Sequence, residues 1–268
     1  MPPAQPRIRR RCPLNNVLAI AHKELKAYFA SPIAYVVIGL FALMFGYFYW
    51  ALLGIFVEQG QRMMGLQGGP SQNVNEQMIR PVFMNASVLL LFMLPLITMR
   101  TYSEEKRSGT IELLLTSPVT DFQIIMGKFA GAMALYAAML GVTLIHMGVL
   151  WAFGSPEWKP LATAYLGLLL MGGCFISVGL LISSFTRNQI IAGAMTFAVF
   201  LMLWVINWVG PFMGPRVQAV LDYLSITTHL DDFTRGIVDT RHLVYYVSFI
   251  AFGLFLTARS VDTERWRG

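Results

Sequence analysis

Six long apolar stretches constrain the fold of this chain more than any other feature. They cover residues 32–56, 82–99, 128–153, 161–184, 189–209 and 242–257. A hydrocarbon layer about 30 Å thick is crossed by about 20 apolar helical residues. Only 13% of the residues are charged, against about 25% in a typical soluble domain. The sequence therefore predicts an all-α membrane protein with six transmembrane helices.

The basic residues predict the orientation of these spans. The chain has 20 Lys and Arg residues and a formal net charge of +6. If both termini are cytoplasmic, 14 of the 20 basic residues lie on the inner side, while the acidic residues divide equally. Inner loops of membrane proteins are enriched in Lys and Arg. We therefore expect a multi-pass membrane protein with both termini in the cytoplasm, and no nucleic-acid partner.

The segment before the first span divides into two parts. Residues 1–14 are rich in proline and arginine, and we expect a disordered basic tail near anionic lipid headgroups. Residues 15–30 carry apolar side chains at three- and four-residue steps, which is typical of an amphipathic helix. We expect Asn15 or Asn16 to cap this helix, and its apolar face to lie on lipid at the inner interface. The alternative is a simple connection to the first span. Residues 15–268 are predicted to form a single transmembrane domain.

The loop after the second span has a pattern of its own: RTYSEEKRSGTIELLLTSPVTDFQIIMGK. Two glutamates precede Gly109, and a leucine-rich run follows it. Thr120 and Gln123 form a capping box that opens the third span. Exposed leucines at a cytoplasmic surface require a covering surface, which comes either from the same chain or from a partner protein.

The segment before the sixth span predicts one or two short outer helices. Val217, Val220 and Leu224 follow helical spacing. His229 lies close to two aspartates in the sequence. This group is either a metal site or a helix cap with an ion pair, and we favour the cap or ion pair.

The chain shows no sequence signature of an enzyme. It has no GxxxxGK[ST] phosphate loop, no HExxH motif and no GxSxG turn. We therefore expect it to be non-catalytic, with no cofactor or metal of its own. His146, inside the third span, is either a functional ionisable group or a neutral structural histidine. Four polar residues within spans are candidates for lining a path, or for bonding to another helix: Asn85, Ser87, Thr98 and Asn207.

Three segments, taken in order, resemble the ABC type-2 permeases. They are AIAHKELKAYFASPIAYV, TYSEEKRSGTIELLLTSPV and YLSITTHLDDFTRGIVDTRHLVYYVSFIAFGLFLT. The third segment is similar to the gliding-motility-associated branch, to which the nitrous-oxide maturation permeases are related. Leu230 stands where that branch suggests phenylalanine, and His242 where it suggests an acidic residue. The resemblance covers residues 17–260.

The resemblance implies a half-transporter that pairs with a second copy of itself or a similar permease. It also implies a separate ABC ATPase, which would hold ATP and Mg. Residues 101–116 correspond to the coupling helix that sits on this ATPase. The coupling residues implied are Glu104, Glu105, Gly109, Thr110, Glu112, Leu113 and Leu114. The glutamates would meet basic groups of the ATPase, the leucines its apolar groove, and Gly109 would allow a bend. The interfacial helix would also contact the ATPase, through Lys23, Glu24, Lys26 and Tyr28.

Two functions follow from this resemblance. The first is the permease subunit of an ATP-driven exporter for an amphiphilic or otherwise unidentified substrate, with spans two and five along the path and the subunit interface. The second is a mechanotransmission subunit, which passes ATPase motion to a membrane-anchored extracytoplasmic partner without transport. The outer helices would then form the contact, and the residues implied are Tyr223, His229, Phe233 and Gly236. A self-contained membrane enzyme or secondary carrier is a third class.

Overall fold

The computed structural model describes residues 13–64, 73–111, 119–154 and 156–265. Throughout these residues the regular structure is helical. Ten α-helices occur in this part of the chain: α1 Pro13–Ala30, α2 Pro32–Met64, α3 Arg80–Thr98, α4 Ser103–Ser108, α5 Asp121–Phe153, α6 Trp158–Phe185, α7 Gln189–Val205, α8 Pro215–Leu224, α9 Ile226–Thr234 and α10 Thr240–Arg265. A π-helical turn, Asn75–Ile79, leads into α3, and two 3-10 turns, Ile206–Trp208 and Gly210–Phe212, follow α7.

The six predicted spans are confirmed as helices that are long and apolar enough to cross a membrane. Most of these helices extend beyond the apolar stretches that predicted them. For example, α5 begins at Asp121, because Thr120 and Gln123 form the predicted capping box. In the fifth span the α-helix ends at Val205, and the chain continues as a 3-10 turn. The two predicted outer helices are α8 and α9.

The core of the bundle is α6. Of its most apolar 18 residues 78% are buried, against 67% in α3 and only 17% in α7. Contacts join α6 to α3, α5, α7, α9 and α10. Several glycines allow this close packing. A Cβ at Gly172 would overlap the Tyr136 ring, and a Cβ at Gly179 would lie 2.2 Å from the Thr98 hydroxyl.

The bundle has two ends with different structure. The α1 end comprises α1, α4, the start of α5, the end of α6 and the turn before α7. The α9 end comprises the π-helical turn, the end of α5, the start of α6, the 3-10 turns, α8 and α9. The positive-inside rule predicts that the α1 end is cytoplasmic.

Helix α1 corrects two expectations. It begins at Pro13, so neither Asn15 nor Asn16 is its cap; Asn16 instead donates a hydrogen bond to the Gln123 side chain at 3.2 Å. One of its faces packs on α5 rather than on lipid, because a glycine pair admits it closely. A Cβ at Gly127 would lie 2.6 Å from Ile20, and one at Gly131 would lie 2.8 Å from Glu24. Residues 1–12 of the predicted disordered tail lie outside the described residues, whereas residues 13 and 14 are helical.

Candidate functional site

The short helix α4 lies where the resemblance places the start of the coupling segment. Glu104 and Glu105 occupy its first turn, and Lys106 and Arg107 its last, which is the favourable arrangement for the helix dipole. Gly109 ends the helix with a φ of 73°, a left-handed conformation that glycine adopts without steric cost. The chain therefore turns at Gly109, and the role of this turn in coupling stays a prediction.

Helix α4 is attached to the end of α6 by buried polar contacts. The Ser183 hydroxyl accepts hydrogen bonds from the backbone N–H groups of Tyr102, at 3.0 Å, and Ser103, at 3.1 Å. The Lys106 ammonium donates to the carbonyl of Ser184. The Ser183 contacts satisfy N–H groups left unpaired at the start of α4, and the Lys106 contact satisfies a carbonyl left unpaired at the end of α6. Helix α4 is therefore fixed to the core helix of the bundle.

A buried lysine joins three helices at the same end. Lys128 is 1% exposed. Its ammonium contacts the Glu24 carboxylate of α1 at 3.0 Å, the Glu105 carboxylate of α4 at 2.9 Å and the Thr101 carbonyl at 2.8 Å. The contacts to Glu24 and Thr101 are hydrogen bonds, and the contact to Glu105 is an ion pair. A buried charge is tolerated only when it is paired in this way, so this cluster fixes α1, α4 and α5 relative to one another.

The two glutamates of α4 differ in accessibility. Glu105 contacts Lys128 and, at 3.5 Å, Lys23 of α1. Glu104 is exposed and pairs with Arg100 at 3.0 Å. Arg100 also donates to the Ser31 hydroxyl at 3.2 Å, at the junction of α1 and α2. Of the two, Glu104 is therefore the carboxylate that a partner protein reaches more easily.

The predicted residues of the interfacial helix divide into two pairs. Lys23 and Lys26 are exposed. Glu24 and Tyr28 are buried, Glu24 against Lys128 and Tyr28 with its hydroxyl 3.1 Å from the Ile97 carbonyl. Burial raises the pKa of the Tyr28 phenol well above its usual range, so the phenol remains a hydrogen-bond donor. The first pair is available to a partner, and the second attaches α1 to the bundle.

Three of the predicted coupling residues, Glu112, Leu113 and Leu114, lie outside the described residues. Thr110 is exposed, and its hydroxyl lies 2.8 Å from that of Ser108. The role of all four in coupling stays a prediction.

Two histidines and a carboxylate form a chain of hydrogen bonds at the α9 end. His229 Nε2 lies 2.9 Å from the Tyr223 carbonyl, the two Nδ1 atoms of His229 and His242 lie 2.6 Å apart, and His242 Nε2 lies 2.7 Å from Asp232. A carbonyl and an ionised carboxylate only accept, so both Nε2 atoms carry protons and the Nδ1 atoms share a third. Burial lowers the pKa of His229, so the folded state favours the neutral form of that ring.

The other outer residues contribute mainly to packing. Phe233 is fully buried, and a Cβ at Gly167 would lie 2.8 Å from its Cβ. Gly236 has a φ of 86° and closes α9. Tyr223 is 59% exposed. Among the described residues no three His, Cys, Asp or Glu side chains are grouped as metal ligands; Asp231 pairs with Arg80 and Arg235, and Asp232 with His242.

Three of the four candidate path residues line one cavity at the α9 end. It has a volume of about 410 Å³ and lies between α3, the end of α7 and α9. Asn85, Ser87 and Asn207 are on its wall. Thr98 is elsewhere: it is fully buried against Gly179, and its hydroxyl donates to the Leu94 carbonyl at 3.0 Å. His146 packs edge-on against Phe45 and Tyr49, and its Nδ1 has no hydrogen-bond partner within the described residues.

The roles of Lys128 and Ser183 were missed by the sequence reasoning. Lys128 was placed at the start of the third span, as a boundary charge. The capping box at Thr120 contained the signal that was needed, since a helix starting there places Lys128 about two turns inside. Ser183 has no comparable signal, because its role depends on the position of α4.

The fold has six helices that are long and apolar enough to cross a membrane. The family model described as ABC-2 family transporter protein matches residues 64–228, more than half of the chain. The chain belongs to this family.

Two relatives from Escherichia coli (strain K12) are similar to the chain. The "Probable multidrug ABC transporter permease YbhR" is 27% identical over 187 residues, which cover 64% of this chain and 50% of the relative. The "Inner membrane transport permease YhhJ" is 28% identical over 138 residues, which cover 50% of this chain and 36% of the relative. The matched regions thus span half or less of the length of these relatives.

Proposed function

We propose that this chain is the permease subunit of an ATP-driven ABC exporter that moves an amphiphilic substrate across the inner membrane. The free energy comes from ATP hydrolysis, with Mg, in a separate ABC ATPase chain. The ATPase sits on residues 101–116, and the permease pairs with a second copy of itself or a similar chain. Both termini are cytoplasmic. The relatives, named as a multidrug permease and an inner-membrane transport permease, support this proposal.

The observation that carries the proposal is the attachment of α4 to three other helices. Lys128 links it to α1 and α5, and Ser183 links it to α6. A close-packed interior transmits displacement rather than absorbing it. A force that an ATPase applies to α4 therefore reaches the interfacial helix, the third span and the core helix together.

The exposed side chains at this end give the ATPase its contacts. Glu104, Lys23 and Lys26 are exposed, and so is the apolar Leu18 of α1 at 66%. The leucine-rich run after Gly109 adds the apolar part of the contact. The buried Glu24 and the half-buried Glu105 hold the contact surface in shape through Lys128 and do not themselves meet the ATPase.

The finer assignment, to the gliding-motility-associated branch, forms part of the proposal. It is supported by the third resembling segment, whose residues form the packed α9 end. Phe233, Tyr246 and His229 from this segment are all buried, and Tyr246 donates to the Ile226 carbonyl at 2.9 Å.

A second function, mechanotransmission without transport, is favoured by helix α8. This helix exposes four apolar or aromatic side chains: Val217, Val220, Tyr223 and Leu224. Such a patch outside the spans is suited to an extracytoplasmic partner. In that case α8 carries motion outward, and no substrate moves between the permeases.

Co-purification of ATP hydrolysis with the tagged permease from its native membranes tests the proposal. We expect Leu113→Asp with Leu114→Asp to remove the co-purifying ATPase activity, because charged side chains do not enter an apolar groove. The matched control is Val217→Asp with Val220→Asp at the opposite end, which leaves that activity in place. Unchanged activity in the leucine variant would contradict the coupling assignment. Loss of an extracytoplasmic partner from the valine variant, without substrate movement in vesicles, would favour mechanotransmission.

Cysteine labelling tests the orientation. In a background with Cys12→Ser, a cysteine placed at Gly68 is expected to react with a membrane-impermeant thiol reagent added outside the cell. A cysteine placed at Ser108 is expected to react only after the membrane is opened. The reverse pattern would overturn the orientation.

A further inference from the structure

Two histidines join α9 to α10 at the α9 end of the bundle. His229 lies in the middle of α9 and is 3% exposed, whereas the side chain of His242, in the first turn of α10, is 13% exposed. Their Nδ1 atoms lie 2.6 Å apart. The other nitrogen of each ring is already engaged, since His229 Nε2 lies 2.9 Å from the Tyr223 carbonyl and His242 Nε2 lies 2.7 Å from Asp232. Neither ring can therefore turn over without losing one of these bonds.

The short distance between the two rings limits the number of protons that the pair holds. A ring nitrogen of histidine accepts a hydrogen bond only when it carries no proton. One proton between the two Nδ1 atoms therefore makes a hydrogen bond, because one nitrogen donates and the other accepts. A proton on each Nδ1 atom instead places two N–H donors and two positive charges against each other, and the rings have to separate. The bond between α9 and α10 thus exists with one shared proton and is lost with two.

The groups around the pair do not take the place of this bond. Asp232 accepts from His242 Nε2 and therefore does not face the Nδ1 atoms. Burial lowers the pKa of His229, so this ring takes up a proton only below its ordinary value of 6.5. The other titratable or charged groups of the packed elements contact His229 with an aromatic ring, are engaged elsewhere or are exposed: Tyr223 of α8, Tyr245 and Tyr246 of α10, Cys174 of α6 at the Tyr246 carbonyl, Arg80 and Arg235 on Asp231, Asp239 on the Arg241 backbone, and the exposed Lys159 and Arg241.

Helix α9 also forms one wall of the cavity that lies between α3, the end of α7 and α9. Thr227, Thr228 and Asp231 are on this wall, whereas His229 and Phe233 lie on the buried face of the same helix. The helix has only nine residues, and a helix this short depends on its tertiary contacts for stability. Loss of the contact between the histidines therefore affects the cavity wall on the other side of the same two turns.

We propose that the pair of His229 and His242 is a pH-sensitive switch for this cavity wall. At neutral pH one shared proton holds α9 on α10. At acidic pH a second proton separates the rings, and the wall formed by α9 loosens. The packing of Phe233 on Gly167 involves no charge and remains, so α9 stays on α6. Histidine suits this role because its charge changes between pH 5 and 8. If the α9 end is extracytoplasmic, as proposed above, the switch responds to the pH outside the cell.

A spin label on the cavity wall tests this switch. In a Cys12→Ser background, Thr228→Cys carries a nitroxide in the purified full-length permease, and its EPR spectrum is recorded in nanodiscs at pH 7.5 and pH 5. Cys174 is fully buried and stays unlabelled. We expect the ratio of mobile to immobile nitroxide to rise about fivefold at pH 5, the effect of one lost hydrogen bond. A label at Ser108, on α4 at the opposite end, should give the same spectrum at both pH values. An unchanged spectrum at Thr228 would overturn the proposal.

Two substitutions assign the response to the histidine pair. His242→Gln removes one titrating ring but supplies an amide, whose carbonyl accepts from a protonated His229 and whose NH₂ group donates to a neutral one. We therefore expect the label at Thr228 to stay immobile at both pH values. The matched control is His22→Gln, at an exposed position of α1, which keeps the acid response.

The possible outcomes of these variants separate clearly. A full acid response in His242→Gln, or its loss in His22→Gln, assigns the response to another group and overturns the proposal. A label that is mobile at both pH values in His242→Gln supports the proposal, because the contact between α9 and α10 is then lost without acid. No ATP or ATPase is present, so the result is independent of the proposed export function.

Discussion

Each end of the bundle has a basic side chain that pairs with carboxylates, but the two charge clusters differ in how deeply they are buried. At the α1 end, Lys128 is 1% exposed and contacts one carbonyl and two carboxylates. At the α9 end, the side chain of Arg80 is 32% exposed and that of Asp231 is 27% exposed. The histidine pair nearby holds a shared proton. The charge cluster at the α1 end is therefore closed to solvent, whereas the charged groups at the α9 end are accessible to solvent.

The largest expected effect comes from removing the buried lysine. Lys128→Met leaves Glu24 and Glu105 with only the exposed Lys23 as a cationic partner, and we expect the free energy of unfolding to fall by about 3–5 kcal/mol. This free energy is measured by unfolding the protein in mixed detergent micelles, with tryptophan fluorescence as the signal. Lys23→Met is the control, because Lys23 is 61% exposed and its surface pairs contribute about 0–1 kcal/mol. Equal losses of unfolding free energy in the two variants would show that the buried and the exposed lysine contribute equally to stability.

Helix packing gives the next largest effect and compares both ends directly. In Gly131→Leu the new side chain starts 2.8 Å from Glu24, and in Gly167→Leu it starts 2.8 Å from Phe233. We expect each to reduce the free energy of unfolding by about 1–3 kcal/mol, the range for overpacked interiors. Gly148→Leu is the control on α5, since a Cβ there has nothing within 4 Å. If Gly148→Leu reduced the free energy of unfolding as much as Gly131→Leu, the loss in Gly131→Leu would not be caused by a clash with α1.

The sequence predicted most of the fold and less of the site. Apolar length alone identifies the six spans, because a helix of this composition has no stable place in water. The capping box at Thr120 is a local feature and was predicted correctly. The packing of α1 on α5 was not predicted, because it depends on Gly127 and Gly131, and the sequence does not show which segment packs against a glycine pair. Likewise, Lys128 acquires its three partners only from segments distant in the chain.

A smaller effect, confined to the α9 end, is expected from pH. Burial lowers the pKa of His229 below its ordinary value of 6.5, so the folded state prefers the neutral ring. The stability that neutral His229 contributes is present above that value and is lost as the pH falls, because a second Nδ1 proton breaks the bond to His242. Hydrogen exchange at pH 7.5 and pH 5 should therefore show faster exchange in α9 at the lower pH.

Two comparisons make this pH prediction specific. Exchange in α1, corrected for its intrinsic pH dependence, should not change, since the lysine cluster has no histidine in it. His229→Phe keeps the stacking on Tyr245, whose ring centroid lies 3.9 Å away, but removes the titrating group, so its α9 helix should lose the acid response. An acid response that persists in His229→Phe would assign it to another group.

The smallest effects come from exposed ion pairs, and they still sharpen the contrast. Arg100→Ala removes a pair with Glu104 and a hydrogen bond to Ser31, and the Arg100 side chain is 18% exposed. Arg235→Ala removes a pair with Asp231, and the Arg235 side chain is 42% exposed. Exposed pairs contribute about 0–1 kcal/mol, so both losses of unfolding free energy should be small, with that of Arg100 the larger. Because Arg235 is more exposed, only its loss should be nearly zero at 1 M salt, where the screening length is about 3 Å. If Arg235→Ala reduced the free energy of unfolding more than Arg100→Ala both at low salt and at 1 M salt, the α9 end would be the more tightly fixed of the two ends.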